Sequence, residues 1–287
     1  MNFLKPPVLL LGFICFGGCW NNAPTDMIVV TGGTFPMGTD KVDRTNHALS
    51  LGLEKPWFAD ESPEHRVTVK TFYLDRLEVT NKDYYIFIHA TNHKPPPHWN
   101  GLKFPNGQGN FPVTNLTFFE AASFAEWAGK RLPTEIEWER ASRGPNNWIY
   151  PWGNKFQFTM ANISQSNKKT KDLSLKPVGS YPQGASAFGI EDMIGNAWEW
   201  VWDYYQPYPG NQYQSAHYGK KYIIVRGLSF FGLGHFPSKE YKKVVALKAR
   251  ASYREKLSPF ARKIDVGFRC AMDRQPITKK LFKLFMK

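Results

Sequence analysis

From Gly144 onward Trp, Tyr, Gly, Pro and Asn interrupt one another every few residues, so neither a long helix nor a long strand can form there. Only short strands fit, over Tyr222–Val225, Val244–Ala251 and Val266–Cys270. The chain still has the means to build a core, with 42% hydrophobic and 16% aromatic residues and ten Trp. A segment this rich in aromatics and this poor in periodicity is expected to fold as packed loops. The 287 residues suffice for one large domain, and no linker interrupts Met27 to Asp273.

The first half is more regular. Met27 to Val30 reads as a strand ending at the Gly32-Gly33 turn, and Arg66 to Leu74 alternates like a second strand. Thr80, Thr117 and Thr134 are each followed three residues later by an acid, Asp83, Glu120 and Glu137. Each pair is a capping box, and the three boxes predict three helices. The second, Phe118 to Ala128, is expected to stop at Gly129, and the third, Glu135 to Ser142, near Gly144. Glu135, Glu137 and Glu139 are taken as structural rather than catalytic, with capping and the helix dipole accounting for the first two.

The first nineteen residues stand apart. Lys5, the apolar run Val8–Phe16 and Gly17-Gly18-Cys19 have the form of a secretory signal. The run is too short to span a bilayer. Gly17-Gly18-Cys19 resembles a bacterial lipobox, with Cys19 as the lipidated residue. Phe16 stands where Leu is usual, and an ordinary signal peptide cut nearby is the other reading. Residues 20–26 then form a tether, and Trp20 after the cysteine favours the outer membrane or periplasm over inner-membrane retention. With Cys15 and Cys19 accounted for, Cys270 is the one cysteine of the domain, so no internal disulfide can form. The net charge of +13 points to acidic partners. Export argues against nucleic acid and leaves anionic lipid or anionic glycan. Residues 274–287 form a basic amphipathic tail that either lies on an anionic membrane or packs on its own domain.

Six motifs then carry a resemblance. They are Met37-Gly38-Thr39, Gly129-Lys130-Arg131-Leu132-Pro133-Thr134-Glu135, Pro151-Trp152-Gly153-Asn154, Gly195-Asn196-Ala197-Trp198-Glu199-Trp200, Arg226-Gly227-Leu228-Ser229-Phe230 and Gly267-Phe268-Arg269-Cys270. In this order they resemble the formylglycine-generating enzyme (sulfatase-modifying factor) family across Met27 to Asp273. The resemblance implies an α+β, C-type-lectin-like, loop-rich fold. It implies calcium at Asp192, Gly195, Ala197 and Glu199, and a second site starting at Asn162 and Ile163. For that second site Asp172 is the one later candidate, and plain loop polarity is the alternative. Independently of the family, a carboxylate set between Trp198 and Trp200 needs a partner.

In active family members two thiolates after the Arg-Gly-Gly-Ser-aromatic stretch bind copper(I) and activate oxygen. Here Gly232 and Pro237 stand near those positions, so copper and formylglycine formation are not expected. Arg226, Ser229, Phe231, Gly232 and His235 mark the former active-site region. His89 and His93 have helical metal-ligand spacing with His98 nearby, but no third ligand is specified and ordinary histidines are expected. The resulting expectation is an exported, lipid-anchored binding or scaffold protein whose partner is an envelope protein, a peptide or an anionic glycan. The alternative is an oxidoreductase of the same, non-haem-iron-associated family with altered chemistry.

Overall fold

The computed structural model describes residues 26–165, 174–231 and 238–274. Strands β1 (Met27–Val30) and β9 (Ala271–Asp273) pair antiparallel with opposite edges of β4 (Phe72–Asp75), so the two ends of the described chain close one sheet. Strands β2 (Gly33–Met37) and β3 (His65–Val69) form a separate antiparallel pair, and α1 (His47–Ser50) lies in the long connection between them. A four-stranded sheet has the order β7 (Glu255–Leu257), β6 (Ile223–Arg226), β5 (Trp198–Tyr204), β8 (Val266–Gly267), with β8 parallel to β5.

All three capping boxes form. Thr80, Thr117 and Thr134 accept from the amides of Asp83, Glu120 and Glu137, and each acid bonds back to its Thr amide. They open α2 (Asn81–Thr91), α3 (Phe118–Trp127) and α4 (Glu135–Arg143). Beyond α3 and α4, Gly129 and Gly144 hold the positive φ that ends each helix. Helix α4 runs through the interior. Every residue in it except Ile136 is buried, charged ones included.

Three strand expectations are corrected. The run from Arg66 to Leu74 breaks at Lys70-Thr71 into β3 and β4, which join different sheets. The segment Val244–Ala251 is not a strand but the end of α5 (Ser238–Lys248) and its exit turn. Tyr241, Val244, Val245 and Ala249 are its buried residues, a spacing that matches one helix face better than alternation. The strand expected over Val266–Cys270 is limited to β8, and pairing resumes at β9.

Two aromatic-rich clusters fill the interior. One gathers Trp138, Met193, Val201, Tyr205 and Val244, and the other Tyr84, Phe124, Trp200, Val225 and Phe268. Trp200 is fully buried, and its indole donates to the Leu116 carbonyl at 3.2 Å. Among the described residues no helix is long and apolar enough to cross a membrane.

Candidate functional site

The motif charges are spent inside the molecule. Arg226 is fully buried and donates to Glu135 Oε1 at 2.8 Å and Glu139 Oε2 at 2.6 Å. Arg254 grips both oxygens of Glu135 at 2.7 and 2.9 Å. Arg143 binds Glu139 at 2.8 Å and the Gly38 carbonyl at 2.6 Å. Arg131 ties Glu137 to Asp273. Glu135 and Glu139 are therefore ion-pair partners, and only Glu137 caps the helix. Burial alone would push Glu139 up, but Arg143 and Arg226 beside it hold it below the usual carboxylate range.

A second buried charge cluster surrounds the turn before β5. Asp192 and Asn196 have φ of 53° and 58°, and Gly195 has 86°. A Cβ on Gly195 would stand 2.8 Å from the Asn162 carbonyl, so the turn needs glycine. The Asn196 amide side chain ties the turn together. Its oxygen accepts from Asn162 Nδ2 and the Lys176 amide, both at 2.9 Å, and its nitrogen donates to Glu78 at 2.8 Å. The Ala197 amide donates to the other oxygen of Glu78. Asn162 and Asn196 are thus neighbours, and the two calcium sites expected from sequence share one hydrogen-bond network. Ile163 is buried beside them, while Asp172 lies outside the described residues.

Glu199 has its partner in Arg269. The guanidinium reaches both its oxygens at 2.7 to 3.0 Å, and the Trp138 indole donates to Oε2 at 2.8 Å. Asp192 accepts from the Gly179 amide at 2.6 Å. Glu78, Asp192 and Glu199 thus set three buried carboxylates against one buried guanidinium. Burial, then Asp192 and Glu199, pushes Glu78 well above the usual range. Burial also raises Asp192. For Arg269, burial disfavours the cation and Glu199 reverses this. The excess of carboxylate over guanidinium is a charge that a hard divalent cation would offset, while Glu78 and Glu199 already accept hydrogen bonds on both oxygens. Among the described residues no three His, Cys, Asp or Glu side chains gather as a ready metal cage. Main-chain carbonyls of the turn would have to supply donors. Glu78 was missed from sequence; its one signal is an acid between Leu77 and Val79, two residues before the capping Thr80.

Of the residues marked from sequence as the former active-site region, Phe231 lines a groove of about 380 Å³. Trp198, Phe231, Leu257, Ile264 and Val266 form its apolar walls, with Glu255, Lys263 and Asp265 among them. Ser229 donates to Asp265 at 2.7 Å. Arg226 belongs to the buried lattice instead, and Gly232 and His235 lie outside the described residues. Leu228 holds a φ of 62° in a stretch where the family pattern has glycine, a costly conformation for a branched side chain. Cys270 is fully buried, and burial followed by Asp75 pushes its thiol well up, away from thiolate chemistry.

The histidine pair forms no centre. His89 bonds the Tyr85 carbonyl and lies against the Tyr85 ring, and His93 packs on Phe87. Burial lowers His98. Cys19 and residues 275–287 lie outside the described residues, so the anchor and almost all of the tail are not placed.

A family model described as "Sulfatase-modifying factor enzyme 1-like domain" matches residues 19–274. A Bos taurus protein named "Inactive C-alpha-formylglycine-generating enzyme 2" is 28% identical, over 93% of this chain and 95% of its own length. A Mycolicibacterium smegmatis protein named "Hercynine oxygenase" is 32% identical over 71% of this chain, which spans 51% of that relative. The solved structure of PvdO from Pseudomonas aeruginosa superposes with a TM-score of 0.61 at 25% identity, covering 86% of this chain and 94% of that one.

Proposed function

We propose that this chain, which belongs to the sulfatase-modifying factor enzyme 1-like domain family, is an exported, lipid-anchored binding or scaffold protein of the bacterial envelope that does not make formylglycine. The observation that carries this is the groove. It has apolar walls, and its Asp265 accepts from the buried Ser229, yet no thiol lines it, and the one domain cysteine is buried elsewhere. The sequence has no cysteine between Trp20 and Arg269, so a copper-binding thiolate pair is not available. The full-length likeness to a relative named inactive supports the same reading.

Calcium is the proposed resident ion. Asp192 and Glu199 would offer carboxylates, with Gly195 and Ala197 giving carbonyls. Asn162 and Ile163 would contribute to a second site alongside. The three-to-one excess of buried carboxylates over guanidinium supports it. When bound, the ion would fix the turn before β5, which leads directly into Trp198 on the groove wall. Its role would be structural, since nothing in the groove draws on it.

The groove's proposed ligand is an extended peptide or envelope protein, with an anionic glycan as the other candidate suited to the net charge of +13. Cys19 would carry the lipid, and the basic tail would rest on the anionic surface beside it. Cys19→Ala is expected to move the protein from the membrane fraction to the soluble one and to abolish incorporation of labelled fatty acid. Unchanged lipid labelling in that variant would refute the anchor.

The likeness to a relative named hercynine oxygenase favours a second reading, an oxidoreductase with altered chemistry. Stoichiometric iron or copper in the purified protein would promote it.

A further inference from the structure

Away from the groove, a partly open cavity of about 160 Å³ lies between the segment 52–58 and the end of α5. Its walls include three aromatic side chains, Trp57, Phe58 and Tyr253, two lysines, Lys55 and Lys248, and three carboxylates, Glu54, Glu61 and Glu255. Nearly every charge around it is already matched. Lys55 bonds Asp60 and the Arg254 carbonyl. Lys256 pairs with Glu54 and Glu255. Both oxygens of Glu61 are taken by Arg250, with Ser252 adding a third bond. Glu255 also accepts from the Tyr253 hydroxyl.

Lys248 is the exception. It has no hydrogen bond or ion pair among the described residues. Its ammonium sits 5.4 Å from the Tyr253 ring centroid, and Lys55 lies 5.3 Å from the same centroid. Burial lowers Lys248, and the opposing pull of Glu255 does not make up for burial together with Lys55 and Lys256. The C-terminal end of α5, where Lys248 is the last residue, favours a cation but offers it no carbonyl bond here.

Two further features mark the same cavity. Trp57 is buried, and its indole N–H has no acceptor among the described residues. Phe58 holds a φ of 69°, a strained conformation for an aromatic residue. An unmatched cation and an unmatched N–H call for an acceptor, and three aromatic walls call for a carbon part. The volume holds about five waters at ~30 Å³ each, which limits the ligand to a few heavy atoms.

We propose that this cavity binds a small organic carboxylate, ion-paired to Lys248, with its short carbon chain against Trp57, Phe58 and Tyr253. The site is independent of the groove and of the proposed calcium.

Propionate is the probe, with chloride and inorganic phosphate at equal ionic strength as controls. In the full chain, propionate is expected to protect Lys248 from acylation by an activated ester, read by peptide mass mapping. Exposed Lys243 on the same helix should acylate equally with and without it. Lys248→Met keeps the aliphatic stem and should weaken propionate binding by at least about tenfold, the loss of one charged hydrogen bond. Lys243→Met should leave it unchanged. A melting curve in chloride alone establishes that the Lys248→Met protein is folded, and the protection experiment on the parent does not depend on that variant. Protection by propionate no greater than by chloride would overturn the site. Equal protection by phosphate would overturn the carboxylate assignment, because an inorganic anion has no use for the aromatic walls.

Discussion

Arg226→Met is expected to destabilise the fold by about 3–5 kcal/mol, the cost of breaking a buried pair from one side. The methionine fills most of the volume, so the loss is electrostatic. It takes one cation from each of Glu135 and Glu139 and removes the donor of the Ala251 and Ser252 carbonyls, in an interior where Arg226 and Glu139 show no exposure. Glu135 keeps Arg254, and Glu139 keeps Arg143 and the Gly38 amide. Chemical denaturation read by Trp fluorescence measures the effect. Against a typical total of about 5–15 kcal/mol, this variant approaches the threshold of folding.

The variant should also change the acid response. The folded-state pKa of Glu139 is depressed, so its contribution is present above the unfolded value and lost as pH falls through the folded one. Removing one of its two cations raises the folded value, so acid unfolding should begin at higher pH than in the parent. A loss below about 1 kcal/mol with an unchanged acid transition would contradict the lattice account.

The second large effect concerns Glu199 and Asp192, which the calcium proposal treats alike and the charge geometry separates. Glu199→Ala leaves Arg269 buried without its carboxylate and should cost about 3–5 kcal/mol with or without calcium. Asp192→Ala breaks only the bond from the Gly179 amide and relieves like-charge repulsion on Glu78. Its cost should therefore depend on the ion. An ion at a hundredfold excess over its Kd adds about 2.7 kcal/mol to the folded state, and Asp192→Ala should forfeit much of that in calcium buffer. With a chelator, Asp192→Ala should keep only the cost of holding Ala at a φ of 53° and of freeing the Gly179 amide, about 1–3 kcal/mol together. A loss of the same size with and without chelator would remove calcium from this turn.

Some of this was legible in the sequence because its causes are local. A Thr and an acid three residues apart announce a helix start from four residues, and all three such starts are real. Gly129 and Gly144 mark where two helices stop, and both hold the positive φ that ends them. The ordered motifs carried the family. The charge lattice was not legible, because its pairs are far apart in the chain: Arg226 and Glu135 are 91 residues apart, and Arg250 and Glu61 are 189 apart. Capping and the helix dipole therefore sufficed for Glu135 and Glu137 in the sequence, whereas Glu135 and Glu139 answer arginines that arrive much later. Helix α5 was misjudged because the adjacent valines Val244 and Val245 favour a strand by propensity, and burial at Tyr241 and Ala249 overrides it. Glu78 stayed hidden because a lone acid in a loop carries no spacing signal; only the fold brings it to Asn196 and Ala197.

The most direct test of a binding protein built on an oxidase family's fold is the elemental content of the purified chain, measured by mass spectrometry of bound metals. Calcium alone, with iron and copper far below stoichiometric, is the expected result. Iron or copper in stoichiometric amount would contradict the non-catalytic account and mean that the groove has been rebuilt around other ligands.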